Sequence, residues 1–310
     1  MKYRVLGRTG LRVSEVGFGA WAIGGNAHGN SYGPTDDETS RRAILRAVEL
    51  GCNFFDTADV YGYGHSEELL GQTVGKRPDV LIATKVGGNF YSGVTVTDFN
   101  PRYIVFACEQ SLKRLRREAI DLYQLHNPPM QMVRGGRIFD VLEELKRKGK
   151  ICHYGVSIFT PEEGLACVAD GRPETLQLVY NIVNQTMARR ALPAARAENV
   201  GVIVREPLAN GFLTGKYDAD AAFVPGDIRY DFPPRYKQAL AKAAEHLQAA
   251  LATEGRTLPQ AALRFILDHD VVSVVIPGCK TPAQVEENVR ASELVPLRSD
   301  ELESIYSFFR

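Results

Sequence analysis

Eight short apolar segments recur along this chain, and helical or loop stretches separate each segment from the next. They cover residues 16–20, 53–56, 80–85, 120–125, 151–157, 175–179, 201–204 and 271–275. Their apolar runs are nearly continuous, which is typical of parallel strands that are buried on both faces. Eight such units in 310 residues predict an α/β fold, a (β/α)8 TIM barrel that forms one domain over residues 1–310.

Two further segments fall outside this repeat. Residues 2–13 contain two short strand-like runs around Gly7 and Gly10, which predicts an N-terminal β-hairpin. The connection 208–235 is rich in Gly, Pro, Asp and Tyr and is too long for a passive turn. We therefore expect a long loop over the C-terminal face of the barrel.

A doubly wound sheet with an accessory domain is the alternative fold. Gly17 and Gly19, followed by Ala22, superficially match a dinucleotide-binding fingerprint, which requires a helix to open at its last position. Residues 23–34 instead contain glycines, asparagines and a proline. No linker of shifted composition marks a domain boundary, so the barrel is favoured.

The composition narrows the classes of partner. Lysine and arginine total 37, as do aspartate and glutamate, which leaves no global bias towards nucleic acid or membrane. Five scattered cysteines show no metal-ligand or redox spacing, and a reducing compartment suits them. The N-terminus lacks the apolar region of a signal peptide, and no run of about 18 apolar residues occurs. We expect a cytoplasmic protein with no nucleic-acid or membrane partner.

Polar residues stand where predicted strands end. Asp56, Lys85 and His126 close three successive apolar runs, and Tyr61 lies five residues beyond Asp56 in a glycine-rich loop. In a barrel, these C-terminal ends form one rim, which is where chemistry takes place. A carboxylate, an ammonium, an imidazole and a phenol on one rim suit proton transfer to a carbonyl oxygen. The other strand ends present Ser157, Gln177, Arg205 and Pro277-Gly278.

Each of the charged residues, taken alone, has an ordinary structural explanation. Asp56 could cap a loop, Lys85 could reach the surface along its alkyl stem, and His126 could be a satisfied core histidine. No second His or Cys lies at ligand spacing from His126, so no metal site is predicted. A lyase or isomerase with Lys85 as a Schiff base is another alternative, although a lysine paired with Asp56 should stay protonated.

Several motifs resemble those of the aldo-keto reductase family over essentially the whole chain. They are Asp56-Thr57-Ala58-x-x-Tyr61-Gly62, Thr84-Lys85, His126 at its strand end, the loop 211–217, and Ile276-Pro277-Gly278 with Glu287-Asn288 downstream. The resemblance implies a nicotinamide cofactor bound in extended form across the barrel mouth. It implies an NAD(P)H-dependent oxidoreductase that reduces aldehydes or ketones, or oxidises the corresponding alcohols or sugars.

The same resemblance implies a role for each residue of the catalytic group. Tyr61 would be the general acid in carbonyl reduction and the base in alcohol oxidation. A free phenol has a pKa of about 10. We expect the Lys85 ammonium to lower that pKa and Asp56 to hold Lys85 charged and in place. His126 would donate a hydrogen bond to the substrate carbonyl oxygen.

The implied contacts to the nicotinamide match the family less closely. Ser157 and Gln177 would hold the carboxamide, but Ile158 stands where the family often has asparagine. Arg205 occupies a position where many members stack an aromatic ring on the nicotinamide. A guanidinium can also stack, and it can pair with a phosphate, so both roles are open for Arg205.

The residues expected near the adenosine end of the cofactor bear on the choice between NADP(H) and NAD(H). Lys280 could meet a 2′-phosphate, whereas Gln284 sits where many members carry an arginine for that phosphate. We expect NADP(H) as the preferred cofactor and NAD(H) as the alternative. The remaining implied cofactor contacts are Leu208, Gly278, Glu287 and Asn288.

Four residues just after strand ends are the predicted substrate-pocket residues: Trp21, Phe90, Tyr91 and Asn127. Trp21 could alternatively plug the barrel mouth. A pocket edged with aromatic rings suits a small-molecule carbonyl or alcohol substrate. The sequence allows a monomer or a homo-oligomer.

The alternative function is a cofactor-sensing regulatory subunit that resembles the β-subunits of potassium channels. Such relatives keep the catalytic residues, so these residues alone do not exclude it. The segment before the predicted hairpin is very short, and we expect no arm that engages a partner protein.

Overall fold

The computed structural model describes residues 1–309, and an eight-stranded parallel sheet forms its centre. The strands of the described chain are β1 (Tyr3–Val5), β2 (Arg12–Ser14), β3 (Phe18–Gly19), β4 (Phe54–Asp56), β5 (Leu81–Val86), β6 (Gly88–Asn89), β7 (Val96–Thr97), β8 (Ile120–His126), β9 (Ile151–Ser157), β10 (Thr175–Val179), β11 (Gly201–Arg205) and β12 (Val272–Val275). The central sheet has the order β12-β11-β10-β9-β8-β5-β4-β3. Parallel bridges join Val16 to Val275 and Gly19 to Gly278, so the two edge strands meet and close the barrel.

The predicted (β/α)8 barrel is confirmed, and each barrel strand begins and ends within two residues of its predicted bounds. The largest difference is at β3, where only Phe18 and Gly19 have regular strand pairing. A Cβ atom on Gly19 would lie 2.6 Å from the carbonyl oxygen of Ile276. Glycine is therefore needed where the first strand approaches the end of the last one.

Helices surround the barrel, and several of them begin at a capping side chain. They are α1 (Asp37–Glu49), α2 (His65–Thr73), α3 (Pro101–Leu115), α4 (Met130–Gly135), α5 (Arg137–Arg147), α6 (Pro161–Asp170), α7 (Ala191–Ala197), α8 (Pro234–Leu251), α9 (Leu258–Leu267), α10 (Pro282–Val289) and α11 (Ser299–Phe308). Asp36 accepts a hydrogen bond from the backbone N–H of Thr39 at 2.8 Å and caps α1. Thr160 and Glu163 form a capping box at the start of α6. The sequence analysis gave no bounds for α4, α10, α11 or the small hairpin of β6 and β7.

The predicted N-terminal hairpin closes the N-terminal end of the barrel. Strands β1 and β2 pair antiparallel. The side chains of Leu6 and Val13 are fully buried in one cluster with interior residues of five barrel strands: Phe54, Ala83, Leu122, Ile203 and Val274. Since this end is filled by apolar side chains, the opposite end of the barrel is left to form the cavity.

Two loops meet over the C-terminal face. We call residues 24–35 and 208–233 together the clasp. The backbone N–H of Ser31 donates to the carbonyl oxygen of Gly226 at 3.2 Å, and that of Ile228 donates to the carbonyl oxygen of Ser31 at 3.0 Å. The hydroxyl of Tyr32 donates to Oδ1 of Asn210 at 2.7 Å. The long loop predicted from the sequence therefore lies over the barrel mouth and is joined there to the loop after β3.

Candidate active site

A cavity of about 420 Å³ opens at the C-terminal ends of the barrel strands. Many predicted site residues line it together: Trp21, Asp56, Tyr61, His126, Asn127, Gln177, Arg205, Leu208, Gly278, Lys280 and Gln284. These residues come from six barrel strands or the segments after them, and barrel closure brings them to one face. Lys85 lies beneath this lining and has no exposed surface.

Lys85 forms a buried ion pair with Asp56. The distance from Nζ of Lys85 to Oδ1 of Asp56 is 2.5 Å, and Nζ also donates to the carbonyl oxygen of Thr57 at 2.7 Å. Burial acts to lower the pKa of Lys85, but the nearby Asp56 and Tyr61 outweigh it, so the pKa is raised. The lysine is therefore protonated, which does not suit a Schiff-base nucleophile.

The second carboxylate oxygen of Asp56 is held by two glutamines. Nε2 of Gln177 donates to it at 2.7 Å, and Nε2 of Gln124 donates to it at 3.1 Å. The sequence analysis missed Gln124, which lies two residues before His126 on β8. Strand alternation turns residues i and i+2 to the same side, and this was the available signal. Two amides thus fix the carboxylate that fixes Lys85.

Tyr61 is placed to exchange a proton with the cavity. Its hydroxyl lies 3.2 Å from Nζ of Lys85. Burial raises the pKa of Tyr61, and the attraction of Lys85 for the phenolate offsets this only in part. The expected lowering of this pKa is therefore corrected, because the sequence analysis weighed Lys85 but not the loss of water around the phenol. Tyr61 is protonated at neutral pH and can act as an acid.

His126 faces Tyr61 across the cavity. The centroids of the two rings are 5.8 Å apart, and the rings are nearly perpendicular at 82°. Burial lowers the pKa of His126 well below its usual value, and the positive charges of Lys85 and Arg205 lower it further. The imidazole is neutral at pH 7 and can donate one N–H to an oxygen placed between it and Tyr61.

Trp21 forms the opposite wall. Its ring stacks on Tyr61 with centroids 5.9 Å apart, and its Nε1 donates to the carbonyl oxygen of Asn30 at 3.0 Å. Trp21 thus lines the cavity, and its contact with substrate stays a prediction. Phe159 also lines the cavity, with 61% of its surface exposed at the rim. The sequence analysis missed Phe159, although Phe159 lies two residues after the end of β9 and a position just after a strand end was the signal used for Trp21 and Asn127.

Phe90 and Tyr91 do not line the cavity, although both were predicted to contact substrate. They stack on each other at 4.6 Å, and Phe90 stacks on Tyr63 at 4.8 Å. The hydroxyl of Tyr91 accepts a hydrogen bond from Nη1 of Arg114 at 3.1 Å. This aromatic stack holds both rings beside the mouth, and their contact with substrate stays a prediction.

Three predicted cofactor contacts also lie outside the cavity lining: Ser157, Glu287 and Asn288. The hydroxyl of Ser157 donates to Oδ1 of Asn127, a lining residue, at 2.9 Å. The amide of Asn288 donates to Sγ of Cys279 at 3.1 Å, behind the strand end that carries Gly278. Ser157 therefore supports the lining residue Asn127, and the direct cofactor contacts of all three residues stay predictions.

Three cations, Lys216, Arg229 and Lys280, line the cavity, and Arg229 is paired with the buried carboxylate of Asp227. Nζ of Lys280 donates to the carbonyl oxygens of Tyr32, Pro34 and Gly33 at 2.7, 3.1 and 3.3 Å. Burial lowers the pKa of Lys280, and the cations Arg229 and Lys216 lower it further, while Asp227 acts in the opposite direction.

Two kinds of site are absent from residues 1–309. In that range, no group of three or more His, Cys, Asp or Glu side chains could hold a metal ion. No helix in the same range is both long enough and apolar enough to cross a membrane.

Comparison with known proteins identifies similar chains. The model of the aldo/keto reductase family matches residues 15–309. Aldo-keto reductase YhdN of Bacillus subtilis is 34% identical over 92% of this chain and 87% of its own length. The NADH-specific methylglyoxal reductase of Escherichia coli is 32% identical over 94% of this chain and 93% of its own length. A probable voltage-gated potassium channel subunit beta of Arabidopsis thaliana is 30% identical over 96% of this chain and 93% of its own length.

A solved structure shares the fold over almost the whole chain. It is the holo form of aldo-keto reductase AKR11C1 from Bacillus halodurans, with a TM-score of 0.83 and 32% identity. The alignment covers 99% of this chain and 96% of that one. At this level of identity and coverage, the likeness extends beyond the general barrel architecture.

Proposed function

The chain belongs to the aldo-keto reductase family, and we propose that it is an NADP(H)-dependent reductase of small aldehydes and ketones with Tyr61 as its general acid. The observation that carries this proposal is the contact of the Tyr61 hydroxyl with the buried Lys85 ammonium at 3.2 Å. A neutral imidazole, that of His126, faces the same hydroxyl. An acid, a charge that stabilises its conjugate base and a neutral hydrogen-bond donor are what carbonyl reduction requires.

The cavity lining fits a nicotinamide cofactor in two ways. Oε1 of Gln177 is buried and has no hydrogen-bond partner in the described part of the chain, so it can accept an N–H of a carboxamide. The cations Lys280, Lys216 and Arg229 in the lining suit phosphates. When bound, the nicotinamide supplies the hydride that the carbonyl carbon receives.

Each residue of the catalytic group then has a defined task. Tyr61 gives its hydroxyl proton to the carbonyl oxygen, while the carbon gains the hydride, so that the carbonyl becomes an alcohol. His126 donates its N–H to the same oxygen and stabilises the negative charge that develops there. Lys85 stabilises the phenolate left on Tyr61 until solvent returns a proton. Asp56 keeps Lys85 charged and fixed.

The preference for NADP(H) rests on the positive charge in the cavity lining. Lys280 and Lys216 supply positive charge near Gln284, where a 2′-phosphate would gain from it. NAD(H) is the alternative, because Lys280 already donates to three backbone carbonyls and one relative is named as NADH-specific.

The test is a fluorescence titration of Trp21, the single tryptophan, with NADPH and with NADH. Saturable quenching with a tighter Kd for NADPH is expected. Lys280→Met should remove the preference, whereas Lys76→Met, at an exposed site far from the cavity, should leave it unchanged. Turnover is then measured with a panel of small aldehydes and ketones. Failure of both cofactors to bind would refute the proposed function.

We also propose a reducing cytoplasmic compartment. All five cysteines are free, and four of them are buried. Free buried thiols are usual where disulfides do not form.

A further inference from the structure

Asn127 follows the end of β8 and turns its side chain into the barrel mouth. It comes directly after His126, the last residue of that strand, and its φ of 58° lies in the left-handed region. Neighbouring residues of a strand point to opposite sides, yet His126 and Asn127 both line the cavity. The left-handed backbone ends the alternation, and asparagine adopts this conformation more readily than most residues do.

Ser157 determines which end of the Asn127 amide is free. In the register of the sheet, Ser157 lies beside His126 on β8 and beside Gln177 on β10. The three side chains therefore stand in one row on the interior side of the barrel, on strands about 4.8 Å apart. The hydroxyl of Ser157 donates to Oδ1 of Asn127 at 2.9 Å. Nδ2 of this half-buried asparagine has no hydrogen-bond partner within residues 1–309, so it is the free end.

The donors around Gln177 are almost all in use. A carboxamide that gives its N–H to Oε1 of Gln177 also has an oxygen, and that oxygen requires a donor. The backbone N–H of Asn127 donates to the carbonyl oxygen of Ser157 at 3.1 Å, and that of Ile158 donates to the carbonyl oxygen of Gln177 at 2.9 Å. The hydroxyl proton of Ser157 is used on Asn127. The donor that is left in this row is Nδ2 of Asn127.

Arg205 carries the other free donor near β10. Its Nε has no hydrogen-bond partner within residues 1–309. In the sheet register, however, Arg205 pairs with Val179, two residues beyond Gln177. Two residues of a strand span about 7 Å, whereas Asn127 is bonded directly to Ser157, the register partner of Gln177. Asn127 is therefore the better placed of the two.

We propose that Nδ2 of Asn127 donates a hydrogen bond to the carboxamide oxygen of a bound nicotinamide. This inference rests on the proposed function, since it requires that a nicotinamide cofactor binds, and it assigns Asn127 to the cofactor and not to the substrate. Ser157 is then a positioning residue, which acts through Asn127. With Gln177 at one end of the carboxamide and Asn127 at the other, the rotation of the nicotinamide ring is fixed.

The test measures binding and does not depend on turnover. Isothermal titration calorimetry gives the Kd of NADPH and that of 2′-phospho-ADP-ribose, which keeps the phosphates and the adenosine but lacks the nicotinamide. Asn127→Gly removes the amide and tolerates the positive φ. Asn127→Asp keeps the shape and the acceptor for Ser157 but replaces the donor with an oxygen. Asn199→Gly is the matched control, because Asn199 has a φ of 50°, is exposed and lies outside the cavity lining.

Asn127→Gly should raise the Kd of NADPH about three- to tenfold, as loss of one hydrogen bond does, and leave that of 2′-phospho-ADP-ribose unchanged. Asn127→Asp should weaken NADPH at least as much, since two oxygens then face each other. Asn199→Gly should change neither Kd. If the titration of the wild-type protein favours NADH, the pair NADH and ADP-ribose is used.

Two results would overturn the inference while the proposed function stands. The first is an unchanged Kd of NADPH in Asn127→Gly together with a raised KM for the aldehyde, which would show that Asn127 contacts substrate. The second is binding of NADPH by Asn127→Asp as tight as in the wild-type protein, and this variant decides the matter if Asn127→Gly does not fold. If the wild-type protein binds neither NADPH nor NADH, the proposed function itself fails.

Discussion

The hydroxyl of Tyr61 lies 3.2 Å from Nζ of Lys85, a lysine with no exposed surface. Asp56 holds the ammonium of Lys85 in place. The positive charge therefore stays beside the hydroxyl of Tyr61. In the proposed reduction, proton transfer from Tyr61 would leave a phenolate beside a cation that is already in place. Stabilisation of this kind costs no reorganisation during the reaction.

Removal of the Tyr61 hydroxyl should abolish the acid without removing the cavity. For Tyr61→Phe we expect kcat for aldehyde reduction to fall about 10²–10⁴-fold, with the Kd of the cofactor little changed. Tyr63→Phe is the matched control, since the Tyr63 hydroxyl contacts Thr95 at 3.0 Å and lies outside the cavity lining. Substantial turnover by Tyr61→Phe would contradict the assigned role.

Loss of Lys85 should cost stability as well as activity. Lys85→Met leaves the Asp56 carboxylate buried without its cation, and breaking a buried pair in this way costs about 3–5 kcal/mol. Urea denaturation measures the free energy of unfolding. The double variant Lys85→Met with Asp56→Asn should recover much of the stability and none of the activity. If the double variant is no more stable than Lys85→Met, the cost does not come from the unpaired carboxylate.

The pH profile of reduction should be flat around neutrality. The acid must be protonated, and the pKa of Tyr61 is raised above its usual 10.0, so activity should persist on the alkaline side until pH exceeds that value. The pKa of His126 is well below its usual 6.5, so the imidazole stays neutral as pH falls through that value. We expect kcat/KM for reduction to be constant between about pH 6.5 and 9. A loss of activity centred in that interval would contradict these directions.

The clasp should control how fast the cofactor leaves. Lys280→Met removes the donor to three carbonyl oxygens of residues 32–34, and the loss of these bonds should speed cofactor dissociation by about tenfold. Stopped-flow fluorescence of Trp21 measures this rate. Tyr32→Phe breaks the single bond to Asn210 and should have a smaller effect. Tyr230→Phe, at a half-exposed site on the same loop, serves as the control.

Gly71 on α2 packs closely against the backbone at the end of α3. A Cβ atom there would lie 2.0 Å from the carbonyl oxygen of Arg114. Gly71→Ala should therefore destabilise the protein by about 1–3 kcal/mol, as an overpacked contact does. Gly135→Ala is the matched control, because a Cβ atom at Gly135 has no neighbour within 4 Å. Circular dichroism recorded during heating measures the Tm of both variants, and only Gly71→Ala should have a lowered Tm.

Local patterns in the sequence were enough to predict the barrel and its catalytic rim. Apolar runs specify which segments are buried on both faces, and Asp56, Lys85 and His126 stand directly at the ends of such runs. Because parallel strands place all their C-terminal ends on one face, knowing the strand ends is enough to group these residues. Tyr61 followed from its short distance along the chain to Asp56.

Only the tertiary structure decided which other residues reach the cavity. Phe90 and Tyr91 follow a strand end in the sequence, yet they lie outside the lining, where Phe90 stacks on Tyr63 and Tyr91 stacks on Phe90. The clasp joins residues about 195 positions apart, such as Ser31 and Gly226, and no local pattern encodes that pairing. The raised pKa of Tyr61 also depends on closure of the barrel, since the loss of surrounding water, and not the charge of Lys85, sets its direction. Burial and contacts between distant segments exist only in the folded chain, whereas strand ends and apolar periodicity are present along the chain before it folds.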